Sequence, residues 1–227
     1  MLVATETMSE GDQPAISMLG TRAILFEASG AFTMTLQQRI WALAEACGQR
    51  DDVEEAVPGV TNLLVIFTGA PARPEAIRAW LTESWSTLPG RMIEGRLFEI
   101  GVRYGGALGN DLRHVAEHAG LSPEAVIARH HAPEYTVCAI GSAPGFGYLH
   151  GLDPTIATPR KAVPTLRMEA GTVIIGGMQT GISALTGPNG WHSIGFAEVA
   201  LFDPLRDPPT LFMIGDRIRF VPESIEI

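Results

Sequence analysis

Glycine is concentrated in one part of this chain. The 55 residues from Gly141 to Gly195 contain eleven of the 25 glycines, in strings such as GSAPGFG, GGMQTG and GPNG. Glycine at this density, interleaved with aromatic and polar side chains, indicates turns with positive φ and backbone that lies close to another group. We therefore expect short strands, tight turns and a ligand pocket in this segment.

The residues before this segment predict a small α/β layer. A strand-like apolar run spans Ile16 to Ala28, and a capping box at Thr35–Gln38 starts an amphipathic helix. Two strands then flank Pro58–Gly59, and a second helix begins at Pro74. This β-α-β-β-α order predicts one compact domain over residues 15–90.

Residues 91–227 predict a second, β-rich domain. A strand at Leu97–Tyr104 precedes two short helices, Asp111–Ala119 and Ser122–His131, and a strand at Tyr135–Gly141. The later strand-like runs are Thr172–Ile175, Gly181–Leu185, Trp191–Phe196, Val199–Phe202 and Arg217–Val221. Short strands at regular spacing are typical of a closed barrel or a sandwich, so the whole chain is expected to be α+β.

Charge and cysteine content exclude several classes of partner. The net charge is −9 and the estimated pI is 5.1, whereas nucleic-acid binding needs a clustered positive field. The only cysteines are Cys47 and Cys138, and no apolar run has the length of a membrane span. We expect a cytoplasmic protein that contacts neither nucleic acid nor membrane, with a flexible polar tail at residues 1–14.

Two histidine motifs have plain interpretations. The string His114-Val-Ala-Glu117-His118 matches the H-x-x-E-H zinc-hydrolase motif. A helical wheel, however, places both histidines and the glutamate opposite the apolar side, so we interpret this as a solvated face and expect no metal site. The pair His130–His131 lies at a helix end, where interaction with the helix C-terminus is the simplest role.

The glycine-rich segment supplies the candidate binding residues. No P-loop, dinucleotide fingerprint or G-x-S-x-G elbow is present, so the catalytic residues stay unknown. Neutral hydrogen bonds from Gln179, Thr180 and Ser183 can hold a small polar molecule, and Arg160 can hold a carboxylate or phosphate. The alternative for Arg160 and the neighbouring Lys161, the only lysine, is a solvated turn.

Aromatic side chains complete the set. Phe146, Tyr148 and Trp191 either form the wall of the pocket or fill the barrel core. His192 is either a proton carrier or a buried histidine with its hydrogen bonds satisfied.

Several strings, taken together and in order, carry a family resemblance. They are Arg103–Gly106, Asp111-Leu, Leu121–Pro123, Pro133–Val137, Pro144–Leu149, Gly151–Pro154, Ala157–Arg160, Gly176–Ile182 and Gly190-Trp191. In this arrangement the chain resembles the allophanate hydrolase subunit 1 family, also known as the B-type subunits of 5-oxoprolinase. The resemblance covers residues 95–221 closely and agrees with the length and order of the preceding layer.

The resemblance implies a fold and a partner. The fold is a small α/β (ferredoxin-like) layer followed by a cyclophilin-like β-barrel, without prolyl isomerase activity. The partner is a second hydrolase subunit, similar to allophanate hydrolase subunit 2 or to the C-type subunit of 5-oxoprolinase, with which the chain forms an ATP-dependent hydrolase of a small amide or lactam. Alternatives within the resemblance are a non-catalytic inhibitor of a sensor histidine kinase and a carboxyltransferase module of the urea carboxylase type.

The chain departs from the family pattern inside the predicted pocket loops. Gly147 and His150 replace a proline and a glycine, and Ser183 and Ala184 replace a tyrosine and a proline. Asn189 stands where a glycine is common. Losing the tyrosine removes an aromatic wall and a hydroxyl, and Gly147 loosens a stiff turn, so the departures bear on substrate choice.

Overall fold

The computed structural model describes residues 13–227. The predicted flexible tail lies outside the described residues, except for Gln13 and Pro14. The chain forms two compact units, one ending at Met92 and the other beginning at Ile93. The sequence predicts two domains, residues 15–90 and 91–227, and that each of them folds independently stays a prediction.

The first unit is a four-stranded antiparallel sheet with two helices. Its elements are β1 (Ala15–Leu19), β2 (Ala23–Glu27), α1 (Met34–Gly48), β3 (Val53–Pro58), β4 (Asn62–Phe67) and α2 (Pro74–Thr87). The strand order is β1-β2-β4-β3. Leu63, Val65 and Phe67 alternate along β4 and are buried in one cluster with Leu43 of α1 and Leu81 of α2. The period-2 and helical patterns therefore bury one face of the sheet against both helices.

Two details of this unit differ from the sequence prediction. The run predicted as one strand, Ile16–Ala28, is a hairpin, because Gly20 adopts φ +62° and turns the chain between β1 and β2. The first helix is capped by Thr33, whose Oγ1 accepts a hydrogen bond from the Leu36 amide at 3.0 Å, and not by Thr35. Both differences are local turn choices that the apolar pattern does not encode.

The second unit is a closed barrel with two helices whose apolar residues pack into its core. Its elements are β5 (Leu97–Gly105), α3 (Leu112–Ala119), α4 (Pro123–His131), β6 (Tyr135–Ile140), β7 (Gly147–His150), β8 (Thr165–Met168), β9 (Thr172–Gly176), β10 (Gln179–Ile182), β11 (Gly187–Asn189), β12 (His192–Phe196) and β13 (Arg217–Glu226). Seven strands close in the order β10-β7-β6-β13-β5-β12-β9, and β9 pairs with β10. The α+β class with a C-terminal barrel is confirmed.

The barrel interior is mainly apolar. Val102, Val137, Val173 and Ile194 are fully buried in its core cluster, each from a different strand. The antiparallel pairs are interrupted at one place, where β13 runs parallel to β5 over nine residue pairs. None of the helices in residues 13–227 combines the length and apolar character that crossing a bilayer requires.

The later part of the barrel differs from the predicted strands. Val199–Phe202 forms no strand, and only an isolated bridge joins Phe202 to Thr210. Prolines at positions 204, 208 and 209 lack the amide hydrogens that a continued ladder needs. Three short strands, β7, β8 and β11, are present where the sequence shows glycine- and proline-rich turns. β7 pairs with the preceding strand β6, and β8 pairs with β11.

One polar network lies inside the barrel core. His130 is completely buried, and its two ring nitrogens lie 2.7 Å from Tyr104 Oη and 2.8 Å from Thr180 Oγ1. The Thr180 hydroxyl donates its only hydrogen to the Ile174 carbonyl at 2.8 Å, so it must accept from His130 Nε2–H. His130 Nδ1 then accepts from the tyrosine hydroxyl. The histidine expected only to stabilise a helix end is therefore a neutral member of the core.

Candidate functional site

A cavity of about 480 Å³ lies beside the barrel. Its walls come from the turn before β7, from Arg160, and from the segment Ser183–Trp191, which includes β11. Ile174 of β9 lies at its floor and packs with Phe146, Met168 and Trp191, whereas both neighbours of Ile174 belong to the interior cluster. Because side chains alternate across a strand, the cavity is on the outer face of the barrel. We call it the outer pocket.

Three aromatic rings form the apolar wall of the outer pocket. Phe146 lies edge-on to Tyr148 and Trp191, with ring centroids 5.0 and 5.8 Å apart. A Cβ added at Gly176 would lie 2.4 Å from the Trp191 ring, and one at Gly181 would lie 3.1 Å from the Phe146 ring. Two glycines of the dense segment therefore leave the space in which these rings sit.

Among residues 13–227, Arg160 is the only charged residue that lines the outer pocket. Its guanidinium carbon lies 5.5 Å from the centroid of the Trp191 ring, a cation–π distance. No carboxylate in the described part of the chain forms an ion pair with it. The pocket thus presents one uncompensated positive charge next to an aromatic wall.

The residues on both sides of Arg160 are held by polar contacts. The Pro159 carbonyl accepts a hydrogen bond from His192 Nε2 at 2.9 Å. Lys161 Nζ lies 2.6 Å from Asp111 Oδ2, and the Lys161 amide donates to the Gly190 carbonyl at 2.7 Å. Burial alone would raise the pKa of the Asp111 carboxyl, but hydrogen bonds from Lys161 and Ser193 outweigh burial and hold the pKa below its ordinary value.

Five of the eight candidate residues line the outer pocket. They are Phe146, Tyr148, Arg160, Ser183 and Trp191. Although Ser183 lies in the wall, its hydroxyl already donates to the Leu185 carbonyl at 3.0 Å.

The other three candidates lie elsewhere. Thr180 points into the barrel, where it is fully buried in the network with His130, because the residues of β10 alternate between the two faces. Gln179, half-buried at the start of β10, is not part of the pocket lining. His192 follows Trp191 directly and contacts Pro159 instead of the pocket.

His192 is buried and neutral. Its ring stacks on that of His114 at 4.8 Å, and its pKa is lowered, chiefly by burial. Since Nε2–H donates to Pro159, Nδ1 carries a lone pair, which is buried and lacks a hydrogen-bond partner among residues 13–227. His114, Glu117 and His118 are exposed on α3. In the described part of the chain, no group of three His, Cys, Asp or Glu side chains is arranged to hold a metal ion.

Two pocket residues, Ser142 and Asn189, were not among the predicted binding residues. Ser142 lines the wall with φ +67°, a left-handed conformation that is uncommon for a residue other than glycine. Asn189 fixes the end of the Ser183–Trp191 segment, because its Oδ1 accepts from the Trp191 amide at 2.9 Å. Its position before Gly190 is a turn signal in the sequence, whereas nothing local marks Ser142.

Comparison with known proteins gives one consistent family. Residues 14–212 match the family described as "Carboxyltransferase domain, subdomain C and D". The chain is similar to the B-type subunit of the 5-oxoprolinase from Escherichia coli O157:H7, with 42% identity over 211 residues, 91% of this chain and 95% of that one.

Solved structures agree with that similarity. The crystal structure of TTHA0988 is 35% identical with a TM-score of 0.75, over 89% of this chain and 40% of that one. The chain therefore spans less than half of TTHA0988. The urea carboxylase of Kluyveromyces lactis has a TM-score of 0.80 at 19% identity, over 93% of this chain and 22% of that one, which shows a shared fold alone.

Proposed function

The chain belongs to the family of carboxyltransferase domains, subdomains C and D, and from this premise we propose that it is the B-type subunit of an ATP-dependent lactam hydrolase that acts on 5-oxoproline. The observation that supports the proposal most directly is the outer pocket, which combines an unpaired guanidinium with an aromatic wall. 5-Oxoproline offers the complementary groups, a carboxylate and a flat lactam ring. Allophanate also carries a carboxylate beside an amide, so the two substrates are compared in the test below.

We assign ligand binding and orientation to this chain. The carboxylate of the substrate pairs with Arg160, and the lactam ring packs against Tyr148 and Trp191. A guanidinium can hold a carboxylate through two parallel hydrogen bonds, which fixes the direction of the ring. Asn189 and Ser142 also line the pocket, where they can meet the amide of the substrate.

The reacting groups are assigned to a partner chain. Within residues 13–227, the lining of the outer pocket contains no carboxylate, imidazole, thiol or amine. Opening an amide needs a general base for water and an acid for the leaving nitrogen, and these are side chains with pKa values near the working pH. We therefore propose that a second subunit, the C-type subunit of a 5-oxoprolinase, covers the open side and supplies them.

The same lining does not fit ATP. A triphosphate carries three to four negative charges and is bound by several cations or by a glycine-rich loop before a helix. Among the described residues, the outer pocket has one guanidinium and no helix N-terminus in its wall. We place the nucleotide outside this pocket, and we expect no shift in the melting temperature of the isolated chain on adding ATP and magnesium.

Co-expression with a C-type subunit tests the proposal. The purified complex is assayed for ATP-dependent ring opening of 5-oxoproline, with allophanate as the second substrate. Arg160→Gln should raise KM for the lactam at least tenfold, since a charge-assisted hydrogen bond contributes about 1.5–3 kcal/mol. Arg167→Gln is the matched control, because Arg167 is exposed on β8, pairs with Glu169 at 2.8 Å and does not line the pocket. An assembled complex with unchanged KM after Arg160→Gln would contradict the role of the pocket.

The same preparation separates the other functions. A histidine-kinase inhibitor would bind a kinase and show no ring opening with any C-type subunit. A carboxyltransferase module would need a biotin carrier and would transfer carboxyl groups without consuming 5-oxoproline. Neither alternative is favoured by a specific contact in the described residues.

A further inference from the structure

We propose that Asp111, Lys161 and His192 are positioning residues, which hold Arg160 in the outer pocket without touching the ligand. The effect on ligand affinity rests on the proposed function, whereas the position of Arg160 depends only on contacts within this chain. His192 is thereby given a role different from that of a proton carrier or a ligand-binding residue.

Few contacts hold the side chain of Arg160 itself. Its own side chain contacts the face of Trp191 and has no ion-pair partner among residues 13–227. A long, exposed arginine side chain with one such contact samples many rotamers. What restricts the guanidinium is therefore the backbone that carries it, residues 159–161.

That backbone is fixed on both sides of Arg160. Before it, His192 Nε2 donates to the Pro159 carbonyl at 2.9 Å. After it, Lys161 Nζ reaches both Asp111 Oδ2 at 2.6 Å and Thr165 Oγ1 at 2.7 Å. Neither Pro159 nor Lys161 lines the pocket, whereas Arg160 between them does. The contacts of Pro159 and Lys161, which lie outside the pocket, therefore restrict the position of Arg160 inside it.

Asp111 is itself anchored to the barrel. Its Oδ2 accepts from the Ser193 amide at 2.8 Å and from the Ser193 hydroxyl at 2.9 Å, and its own amide donates to the Ser193 carbonyl at 3.0 Å. Ser193 belongs to β12, so the tether leads from a barrel strand through Asp111 and Lys161 to the backbone of Arg160. The carboxylate is largely buried, with 19% of its side chain exposed, and this limits screening of the pair by salt.

His192 is equipped for a structural contact. Burial lowers its pKa, and the ring of His114 covers one of its faces at 4.8 Å. Neutral imidazole has one donor, which Pro159 takes. Because burial keeps the imidazole neutral, His192 Nε2–H donates to the Pro159 carbonyl over the whole neutral pH range.

A ligand-free measurement tests the position of Arg160. The chain has four tryptophans, and Trp191 is the only one in residues 93–227. Labelling with 5-fluorotryptophan therefore gives four ¹⁹F resonances, and the one that is missing in Trp191→Phe belongs to Trp191. We expect Arg160→Gln to shift that resonance by removing the cation from the ring. Asp111→Asn and Lys161→Met should shift it in the same direction, toward its position in Arg160→Gln. Lys161→Met keeps the bonds between Asp111 and Ser193, so it tests the tether even if Asp111→Asn unfolds the barrel.

Two comparisons make that measurement specific. Lys161→Arg restores a cation that reaches Asp111, and it should return the Trp191 resonance close to the wild-type position. Asp153→Asn breaks an ion pair of similar length, Arg129 to Asp153 at 3.0 Å, that touches none of the pocket residues, and it should leave the resonance in place. If the resonance moves in Arg160→Gln but stays unchanged in both tether variants, Arg160 holds its position without the tether and the proposal is overturned.

A double-mutant cycle tests the effect on ligand affinity. The probes are 5-oxoproline and 2-pyrrolidinone, the same lactam ring without a carboxylate, assayed with the assembled complex. For the carboxylate-bearing probe, Lys161→Met should raise KM about fivefold or more, should leave kcat nearly unchanged, and should have little effect once Arg160→Gln is present. Equal losses for both probes, or additive losses in the double variant, would mean a general distortion and would overturn the inference. If no C-type complex opens 5-oxoproline, the proposed function fails while the ¹⁹F result still decides the inference.

Discussion

The buried histidine of the barrel makes a specific prediction about acid stability. In the folded chain His130 accepts from Tyr104 Oη and donates to Thr180 Oγ1, and burial lowers its pKa to about 3 from an ordinary value of 6.5. When the pH falls below 6.5, the unfolded chain binds a proton at this site and the folded chain does not. The contribution of His130 to stability is therefore present above pH 6.5 and is lost between pH 6.5 and pH 3.

The size of this effect follows from linkage. Each pH unit between the two pKa values changes the free energy of unfolding by about 1.4 kcal/mol per group. Integrated from pH 7.5 to pH 5.0, the loss assigned to His130 is about 2 kcal/mol. Since a domain has roughly 5–15 kcal/mol of stability in total, a loss of this size is measurable by denaturant titration.

The assay compares three proteins across that pH range. His130→Gln keeps a donor and an acceptor in the network but cannot titrate, so its free energy of unfolding should be lower at pH 7.5 and should approach that of the wild type as the pH falls. Val126→Ala, also on α4 and fully buried, removes packing without removing a titratable group, and its curve should run parallel to the wild-type curve. A difference between wild type and His130→Gln that is constant with pH would refute the assignment of a buried neutral imidazole.

Three further predictions concern glycines of the barrel and the cap of the first helix. Gly176→Ala should destabilise the chain by about 1–3 kcal/mol through overpacking and should weaken 5-oxoproline binding, measured by melting and by KM, because its Cβ would lie 2.4 Å from an indole ring. Gly147→Ala should stabilise by roughly 0.4–1 kcal/mol in denaturant titrations, since the nearest atom is 3.5 Å away, whereas Gly145→Ala should destabilise because φ is +77°. Thr33→Ala should cost about 1 kcal/mol of unfolding free energy, and Thr35→Ala much less.

The elements that the sequence predicted well are those with long, regular patterns. The helices starting at Pro74 and after Ser122, and the strand at Leu97, begin within a residue of their predicted positions. Their apolar spacing and their proline or serine start signals are local. The β-rich character of residues 91–227 was also predicted, but the strand pattern left a closed barrel and a sandwich open, and the choice of a barrel came from the family resemblance.

The pocket was harder to predict because side chains alternate along a strand. The sequence placed a strand at Gly181–Leu185, whereas β10 spans Gln179–Ile182. Within those four residues Thr180 faces the barrel interior and Gly181 faces the outer pocket. A shift of one residue along the strand moves a polar side chain from the pocket face to the core face, and composition does not show which face it occupies.

Long-range contacts set the rest of the site. Lys161 stands out in the sequence as the only lysine, but its partner Asp111 is 50 positions earlier, at the start of α3. Their contact depends on closure of the barrel, which brings β12 and the Arg160 loop together. A non-local ion pair of this kind leaves no spacing pattern in the chain.

The glycine-rich segment acquires a more definite meaning from these contacts. Positive φ explains Gly145 and Gly177, but Gly176 and Gly181 do not have positive φ and lie within strands. At these two positions a Cβ would occupy the space of the Trp191 and Phe146 rings. The aromatic wall and the strand glycines therefore depend on each other. The Trp191 and Phe146 rings can lie against the outer face of the barrel because glycine leaves the backbone bare there, and the rings in turn cover that backbone.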